Sequence, residues 1–236
     1  MINTWNRLAL LIFAVLSLMV AGELQAGVVV GGTRFIFPAD RESISILLTN
    51  TSQESWLINS KINRPTHWLG GEASTVPAPL LAAPPLILLK PGTTGTLRLL
   101  RTESDILPVD RETLFELSIA SVPSGKVENQ SVKVAMRSVF KLFWRPEGLP
   151  GDPLEAYQQL RWTRNSQGVQ LTNPTPYYIN LIQVSVNGKA LSNVGVVPPK
   201  SQRQTSWCQA IAPCHVAWRA INDYGGLSAK KEQNLP

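Results

Sequence analysis

Proline and glycine interrupt the apolar runs of this chain so often that long helices are disfavoured. The 236 residues include 18 prolines and 16 glycines, spread along the whole length. Proline lacks a backbone N–H and glycine destabilises a helix interior, so short extended segments between turns are favoured instead. This spacing is typical of an all-β fold built as a sandwich. The predicted strands are Val28–Val30, Ser43–Leu48, Trp56–Ile62, Leu86–Leu89, Thr94–Leu100, Leu114–Val122, Val132–Trp144, Gly168–Leu171, Tyr177–Val186, Gln202–Trp207 and His215–Ile221.

A cluster of prolines and glycines at residues 145–151 (RPEGLPG) divides the predicted strands into two groups. Such a stretch is typical of the linker between two domains. The sequence therefore predicts a first sandwich over residues 27–146, a linker over 147–151 and a second, smaller sandwich over 152–236. Residues 152–160 are predicted to form a turn or two of helix at the start of the second sandwich.

Residues 1–26 have the features of a signal peptide. Arg7 supplies a positive charge, Leu8–Ala21 is apolar apart from Ser17, and Ala26 is a small residue suited to cleavage. The alternative is a membrane anchor, but the 14 residues of this stretch fall short of the roughly 20 that a spanning helix needs. We expect export, cleavage after Ala26, and no insertion of the mature chain into a membrane.

The charge distribution argues against a nucleic-acid partner, and the positions of the histidines argue against an enzyme. The net charge is +6, but the lysines and arginines are scattered, with no run of four or more. A cleft that receives anionic groups fits this pattern better than a nucleic-acid surface does. The two histidines, His67 and His215, lie far apart and neither is near a nucleophile motif. We expect no catalytic residues and no cofactor.

Cys208 and Cys214 are the only cysteines. In an exported protein such a pair usually forms a disulfide. The alternative, two free thiols, requires a reducing compartment and conflicts with the predicted export. With His215 the two cysteines match no usual zinc-binding pattern, so we predict no metal site.

Five short motifs, spread from position 33 to position 226, resemble those of the PapD-like periplasmic pilus (fimbrial) assembly chaperones. The motifs are Thr33-Arg34, Leu107–Leu114 (LPVDRETL), Lys141–Pro146 (KLFWRP), Asn173–Tyr178 (NPTPYY) and Ile221–Gly226 (INDYGG). The resemblance implies two immunoglobulin-like β-sandwiches set at an angle, with a cleft between them. Because the segment between Val122 and Val132 is short and carries no cysteine, the chain resembles the short-loop type of the family.

The resemblance also implies what the protein does. A pilus subunit (pilin) lacks the last strand of its own sandwich, and the chaperone supplies that strand until the subunit reaches an outer-membrane usher. The expected partners are therefore pilus subunits and the usher, in the periplasm. An alternative is a secreted structural or adhesive β-sandwich, such as a pilus component.

Arg34 and Lys141 match the family's paired basic residues at the bottom of the cleft, which bind the C-terminal carboxylate of the subunit. A guanidinium and an ammonium group suit a carboxylate, because charge-assisted hydrogen bonds are stronger than neutral ones. The alternative is two unrelated surface cations.

Val132, Val134 and Met136 occupy alternate positions, with charged or small residues between them. The resemblance places these three on the strand that is lent to the subunit. The alternative is an ordinary strand whose apolar side packs in its own core, because alternation identifies two sides but not which one is buried.

Glu112, Arg145 and Asp223 match three family residues that form an ion network between the domains. The alternative is three separately solvated charges, which contribute little to stability. Two positions depart from the family pattern: Glu116 stands where an aromatic residue is usual, and Ser118 where asparagine is common. Both lie in the predicted strand Leu114–Val122, and their effect on local packing is left open.

Overall fold

The computed structural model describes residues 27–66, 68, 77–102, 107–125, 133–192, 194–209 and 213–236. The predicted signal peptide and Val132 lie outside these described residues. Within them the chain forms two β-sandwiches joined near residue 146, and the predicted all-β, two-sandwich architecture is confirmed.

The first sandwich consists of a four-stranded and a five-stranded sheet. In spatial order, the four-stranded sheet contains β1 (Val28–Val30), β3 (Ser43–Asn50), β7 (Thr94–Arg101) and β5 (Leu80–Ala83). The five-stranded sheet contains, in order, β2 (Arg34–Pro38), β9 (Met136–Arg145), β8 (Thr113–Pro123), β4 (Trp56–Asn63) and β6 (Leu86–Leu89). All neighbours are antiparallel except β2 and β9, which run parallel.

The core of the first sandwich lies between these two sheets. Strand alternation directs Leu97 and Leu99 of β7 inward, where both are fully buried, while Arg98 between them is exposed. From the other sheet, β9 contributes Leu142 and Trp144, and the Trp144 ring stacks on Phe37 of β2 with centroids 5.3 Å apart. The opposite side of the five-stranded sheet is therefore free to form a wall of the cleft.

The second sandwich is smaller and begins with a short 3-10 helix, Ala156–Gln159, inside the segment predicted to be helical. One sheet contains β10 (Arg161–Asn165), β11 (Gly168–Asn173) and β15 (Ser201–Thr205). The other contains β12 (Ile179–Val186), β13 (Lys189–Ala190), β14 (Val196–Val197), β16 (Cys214–Ile221) and β17 (Lys231–Leu235). Trp162 and Trp218 meet in the core between them, with ring centroids 5.2 Å apart.

The predicted strand Val132–Trp144 is shorter in the structure, since β9 begins at Met136. The last residue pair between β8 and β9 joins Ser121 to Met136, and β8 ends at Pro123. In that register Pro123 would stand opposite Val134, and because proline has no N–H the ladder stops, so residues 133–135 lie outside β9. Six strands were not predicted, and each has five residues or fewer: β2, β5, β10, β13, β14 and β17.

Candidate functional site

Arg34 and Lys141 lie side by side on the wall of the cleft. They are paired residues of the parallel strands β2 and β9, so their side chains leave the sheet on the same side. Phe143, two residues beyond Lys141, lies on that side as well and packs on Tyr178 of the second sandwich at 5.6 Å between centroids. Arg34 Nη1 donates a hydrogen bond to the carbonyl oxygen of Ile221 in the second sandwich, at 2.9 Å. The two cations thus face the interdomain cleft.

Both cations are partly buried, and among the described residues neither forms an ion pair. Burial, with a further contribution from the Arg34 charge, lowers the pKa of Lys141 to about 8. Burial also lowers the pKa of Arg34, although the attraction of Asp223 offsets part of that effect. Among the described residues neither cation is in an ion pair, and Arg34 Nε is buried without a hydrogen-bond acceptor. Two adjacent, partly desolvated cations form a site suited to a carboxylate.

Trp68 completes the wall around Lys141. The ammonium nitrogen of Lys141 lies 4.3 Å from the centroid of the Trp68 ring, within cation–π range. The sequence analysis did not identify Trp68, because it lies in a segment with no strand pattern and meets Lys141 only through the fold.

Val134, two residues before β9, and Met136, its first residue, are exposed apolar side chains. Their exposed fractions are 63% and 62%. By the two-residue repeat, Met136 lies on the same side of β9 as Phe140, Leu142 and Trp144, which pack in the core. The apolar side of the strand is therefore the core side, but it continues past the end of the core. The sequence analysis offered a lent strand or a core strand. This segment combines core packing at one end with exposed apolar side chains at the other.

The edge of β9 next to these side chains is open. Strand β2 pairs with β9 only from Lys141 onward, so among the described residues Met136–Phe140 have a neighbour, β8, on one edge only. An unpaired edge exposes backbone N–H and C=O groups that accept another strand. This open edge ends at the Arg34–Lys141 pair.

Glu112, Arg145 and Asp223 come together at the junction of the two sandwiches. Arg145 Nε donates to Glu112 Oε1 at 2.7 Å, and its Nη1 donates to Asp223 Oδ2 at 2.7 Å. Glu112 Oε2 also accepts the backbone N–H of Tyr178 at 2.7 Å. Burial raises the pKa of Glu112, and the Arg145 charge opposes that shift. One arginine of the first sandwich thereby connects a carboxylate of each sandwich.

A second ion pair crosses the junction and was missed by the sequence analysis. Lys200 Nζ of the second sandwich donates to Asp110 Oδ2 of the first at 2.6 Å. Hydrogen bonds from Arg111 and Lys200 hold the pKa of Asp110 below its usual range. Both residues are exposed, so the pair adds little to stability.

The two departures from the family pattern have different surroundings. Glu116 is buried on the cleft side of β8, directly across from Lys141 in the strand register. Its Oε1 accepts the backbone N–H of Thr66 at 2.7 Å. Ser118 is half-buried and pairs in register with Lys61 and Val139. Glu116 is thus the departure that bears on the cleft.

Cys208 and Cys214 form a disulfide, as predicted, with Cα atoms 5.9 Å apart. Over the described ranges, no three His, Cys, Asp or Glu residues are grouped so as to hold a metal ion. No helix in the described part of the chain has the length and apolar character to cross a membrane.

Two sandwiches with a basic cleft and an open, apolar strand edge are the features expected of a protein that accepts a strand from another chain. The family described as pili and flagellar-assembly chaperone, PapD N-terminal domain, matches residues 27–150, and pili assembly chaperone PapD, C-terminal domain, matches residues 155–232. The chain belongs to the PapD family of pilus assembly chaperones, a periplasmic family whose function is not enzymatic.

Individual relatives agree with this assignment. The chain is 98% identical to the fimbrial chaperone YcbF of Escherichia coli (strain K12) over 100% of both chains. It is 33% identical to the chaperone protein FimC of the same strain, covering 91% of this chain and 87% of FimC. Its fold is similar to that in the Salmonella enterica complex of the SafA pilin with the SafB chaperone. There the TM-score is 0.76 at 29% identity, over 89% of this chain and 96% of the other. These relatives favour a chaperone over a secreted adhesive sandwich.

Proposed function

We propose that this chaperone binds a pilus subunit by adding the free end of β9 to the subunit's incomplete sandwich. The open edge of Met136–Phe140 offers backbone hydrogen bonds, and Val134 and Met136 offer apolar side chains for the subunit's groove. Val132, outside the described residues, would extend the same row by one more alternate position. Strand addition of this kind covers a groove that otherwise aggregates.

Arg34 and Lys141 set the direction of the bound strand. The open edge of β9 stops where β2 begins, so a subunit strand on that edge lies end to end with β2. If it runs parallel to β9, its C-terminal carboxylate reaches Arg34 and Lys141. If it runs antiparallel, the carboxylate lies at the Met136 end, about 16 Å away for five residues at roughly 3.3 Å each. The two partly buried cations therefore select the parallel arrangement.

The ion network of Glu112, Arg145 and Asp223 keeps the cleft in shape. A charge cluster between two domains costs desolvation and adds little net stability, but it penalises other domain angles because they would leave a buried charge unpaired. The network and the cleft lie between a first domain over residues 27–146 and a second over 152–236, with 147–151 as the linker. That division is part of the proposal.

Export and delivery complete the proposal. Cleavage after Ala26 leaves a periplasmic protein whose first residue is Gly27, and N-terminal sequencing of the periplasmic protein checks that residue. The loaded chaperone then delivers its subunit to an outer-membrane usher, as expected for the family. The open edge of β9 between the exposed apolar side chains and the buried cations is the observation that carries the proposed function.

The experiment is co-purification with a subunit. Periplasmic extracts of cells that express the chaperone and a pilus subunit should yield both in a one-to-one complex. A subunit lacking its C-terminal residues should not be recovered, because it has lost the strand and the carboxylate. Equal recovery of the truncated subunit would overturn the proposal.

A further inference from the structure

Glu116 is a buried acidic residue beside Lys141, and its described hydrogen bonds are made with another segment. It stands across from Lys141 in the register of β8 and β9, on the same side of the sheet, and is almost fully buried. Its carboxylate instead binds the segment that follows β4. Oε1 accepts the Thr66 backbone N–H at 2.7 Å, and Oε2 accepts the Thr66 hydroxyl at 3.4 Å. Glu116 therefore accepts hydrogen bonds from both the backbone and the side chain of Thr66.

The segment that Glu116 binds also contains Trp68, whose ring lies beside the proposed carboxylate site. Strand β4 ends at Asn63, so the sheet itself does not place the residues that follow. Trp68 is two residues beyond Thr66, and its ring lies 4.3 Å from Lys141 Nζ. A hydrogen bond donated to a buried carboxylate is among the stronger ones available to hold such a segment. It fixes Thr66 directly, two positions before Trp68.

We infer that Glu116 is a positioning residue that holds Trp68 over the Lys141 ammonium group, and that Trp68 forms a specificity wall of the subunit's carboxylate site. The ring fixes Lys141 by a cation–π contact and excludes water from one side of the charge. Both effects favour a carboxylate over a neutral terminus, because a desolvated charge interacts more strongly with its partner. An aromatic surface, usual at position 116 in the family, is here delivered from a separate segment. This inference rests on the proposed carboxylate anchor.

The first test is spectroscopic and needs only the free mature chain. The ε-methylene protons of Lys141 should show an upfield ring-current shift in the NMR spectrum of protein labelled at lysine. Trp68→Leu should abolish the shift, and Glu116→Ala should reduce it by removing the acceptor of the Thr66 N–H. Glu116→Gln should keep most of it, since the amide oxygen still accepts from the Thr66 N–H. Ser118→Ala, on the same side of the same strand, is the matched control and should leave it unchanged.

The outcomes separate positioning from general stability. A full ring-current shift in folded Glu116→Ala would overturn the role of Glu116. If Glu116→Ala does not fold, Thr66→Pro, which removes the N–H donor from the segment, takes its place and should reduce the shift in the same way. An unchanged Lys141 shift in Trp68→Leu would show that the Trp68 ring does not lie over Lys141.

The second test measures the carboxylate site. The probe is a pentapeptide of alternating valine and threonine with a free C-terminal carboxylate, compared with the same peptide amidated. The wild-type chain should prefer the free acid, and Trp68→Leu should lose roughly 2- to 30-fold of that preference, the span expected from one cation–π contact. No preference in the wild type would refute the proposed anchor itself. A full preference in Trp68→Leu would refute only the inference drawn from Trp68.

Discussion

Replacing Val134 and Met136 together by serine tests whether the exposed end of β9 binds the subunit. Full burial of a valine or methionine side chain is worth about 1.5–3 kcal/mol. Because 63% and 62% of these side chains are exposed in the free chain, the complex stands to gain about 1–2 kcal/mol from each. The double substitution should therefore weaken subunit binding by about 2–4 kcal/mol, or roughly 30- to 700-fold.

The free protein should be almost unaffected by the same change. Exposed positions outside the core usually alter the free energy of unfolding by no more than about 0.5 kcal/mol. The assay is therefore paired: a thermal melt of each isolated variant, and a titration with the purified subunit. Ala135→Ser is the control, since Ala135 is also exposed but lies between the two apolar positions. A large drop in melting temperature with unchanged subunit binding would show that these side chains support the chaperone's own core.

Three further predictions concern the cleft. Arg34→Ala or Lys141→Ala should leave the chain folded but weaken subunit binding by about 2–5 kcal/mol in titrations, because the subunit's carboxylate loses a desolvated partner. Binding should also weaken as the pH rises above about 8. Burial lowers the pKa of Lys141 in the free chain to about 8, so above that pH the uncharged amine must take up a proton before it can pair with the carboxylate. Asp223→Asn should widen the distribution of interdomain angles measured by small-angle X-ray scattering, since Arg145 then keeps only Glu112 as a charged partner.

Each of these has a control and a contrary outcome. Arg161→Ala removes an exposed cation of the second sandwich and should change neither binding nor its pH dependence. Subunit binding by Lys141→Ala that equals the wild type would remove the anchor. A flat binding profile between pH 7 and 10 would contradict the role of the Lys141 charge. Scattering from Asp223→Asn that superimposes on the wild type would show that the network does not set the domain angle.

Much of the fold could be predicted because the relevant signals are local. Leu97, Arg98 and Leu99 alternate as their strand requires, and the proline–glycine stretch at 145–151 separates the strands of the first sandwich from those of the second. Strand β2 was missed because its five residues pair in parallel with β9, more than 100 positions away. A parallel neighbour is joined through a long crossover connection, so no nearby turn in the sequence indicates it.

For the site residues, too, local signals could be predicted and long-range contacts could not. Motif resemblance identified Arg34, Lys141 and the three network residues, and the structure brings each group together. The side of β9 that carries Met136 could not be predicted, because alternation does not tell a core from the region just past its end. Trp68 was missed for a different reason, since it lies in a segment with no strand pattern and meets Lys141 only through the fold.

Amide hydrogen exchange along β9 tests the central claim most directly. In the free chain, Met136–Phe140 has a strand neighbour on one edge only, so amides that point to the open edge should exchange rapidly. Binding of a subunit by strand addition should protect those amides strongly, while the amides of Leu142–Trp144, already between β2 and β8, should change little. Rapid exchange at Met136–Phe140 in the stable complex would contradict strand addition at this edge.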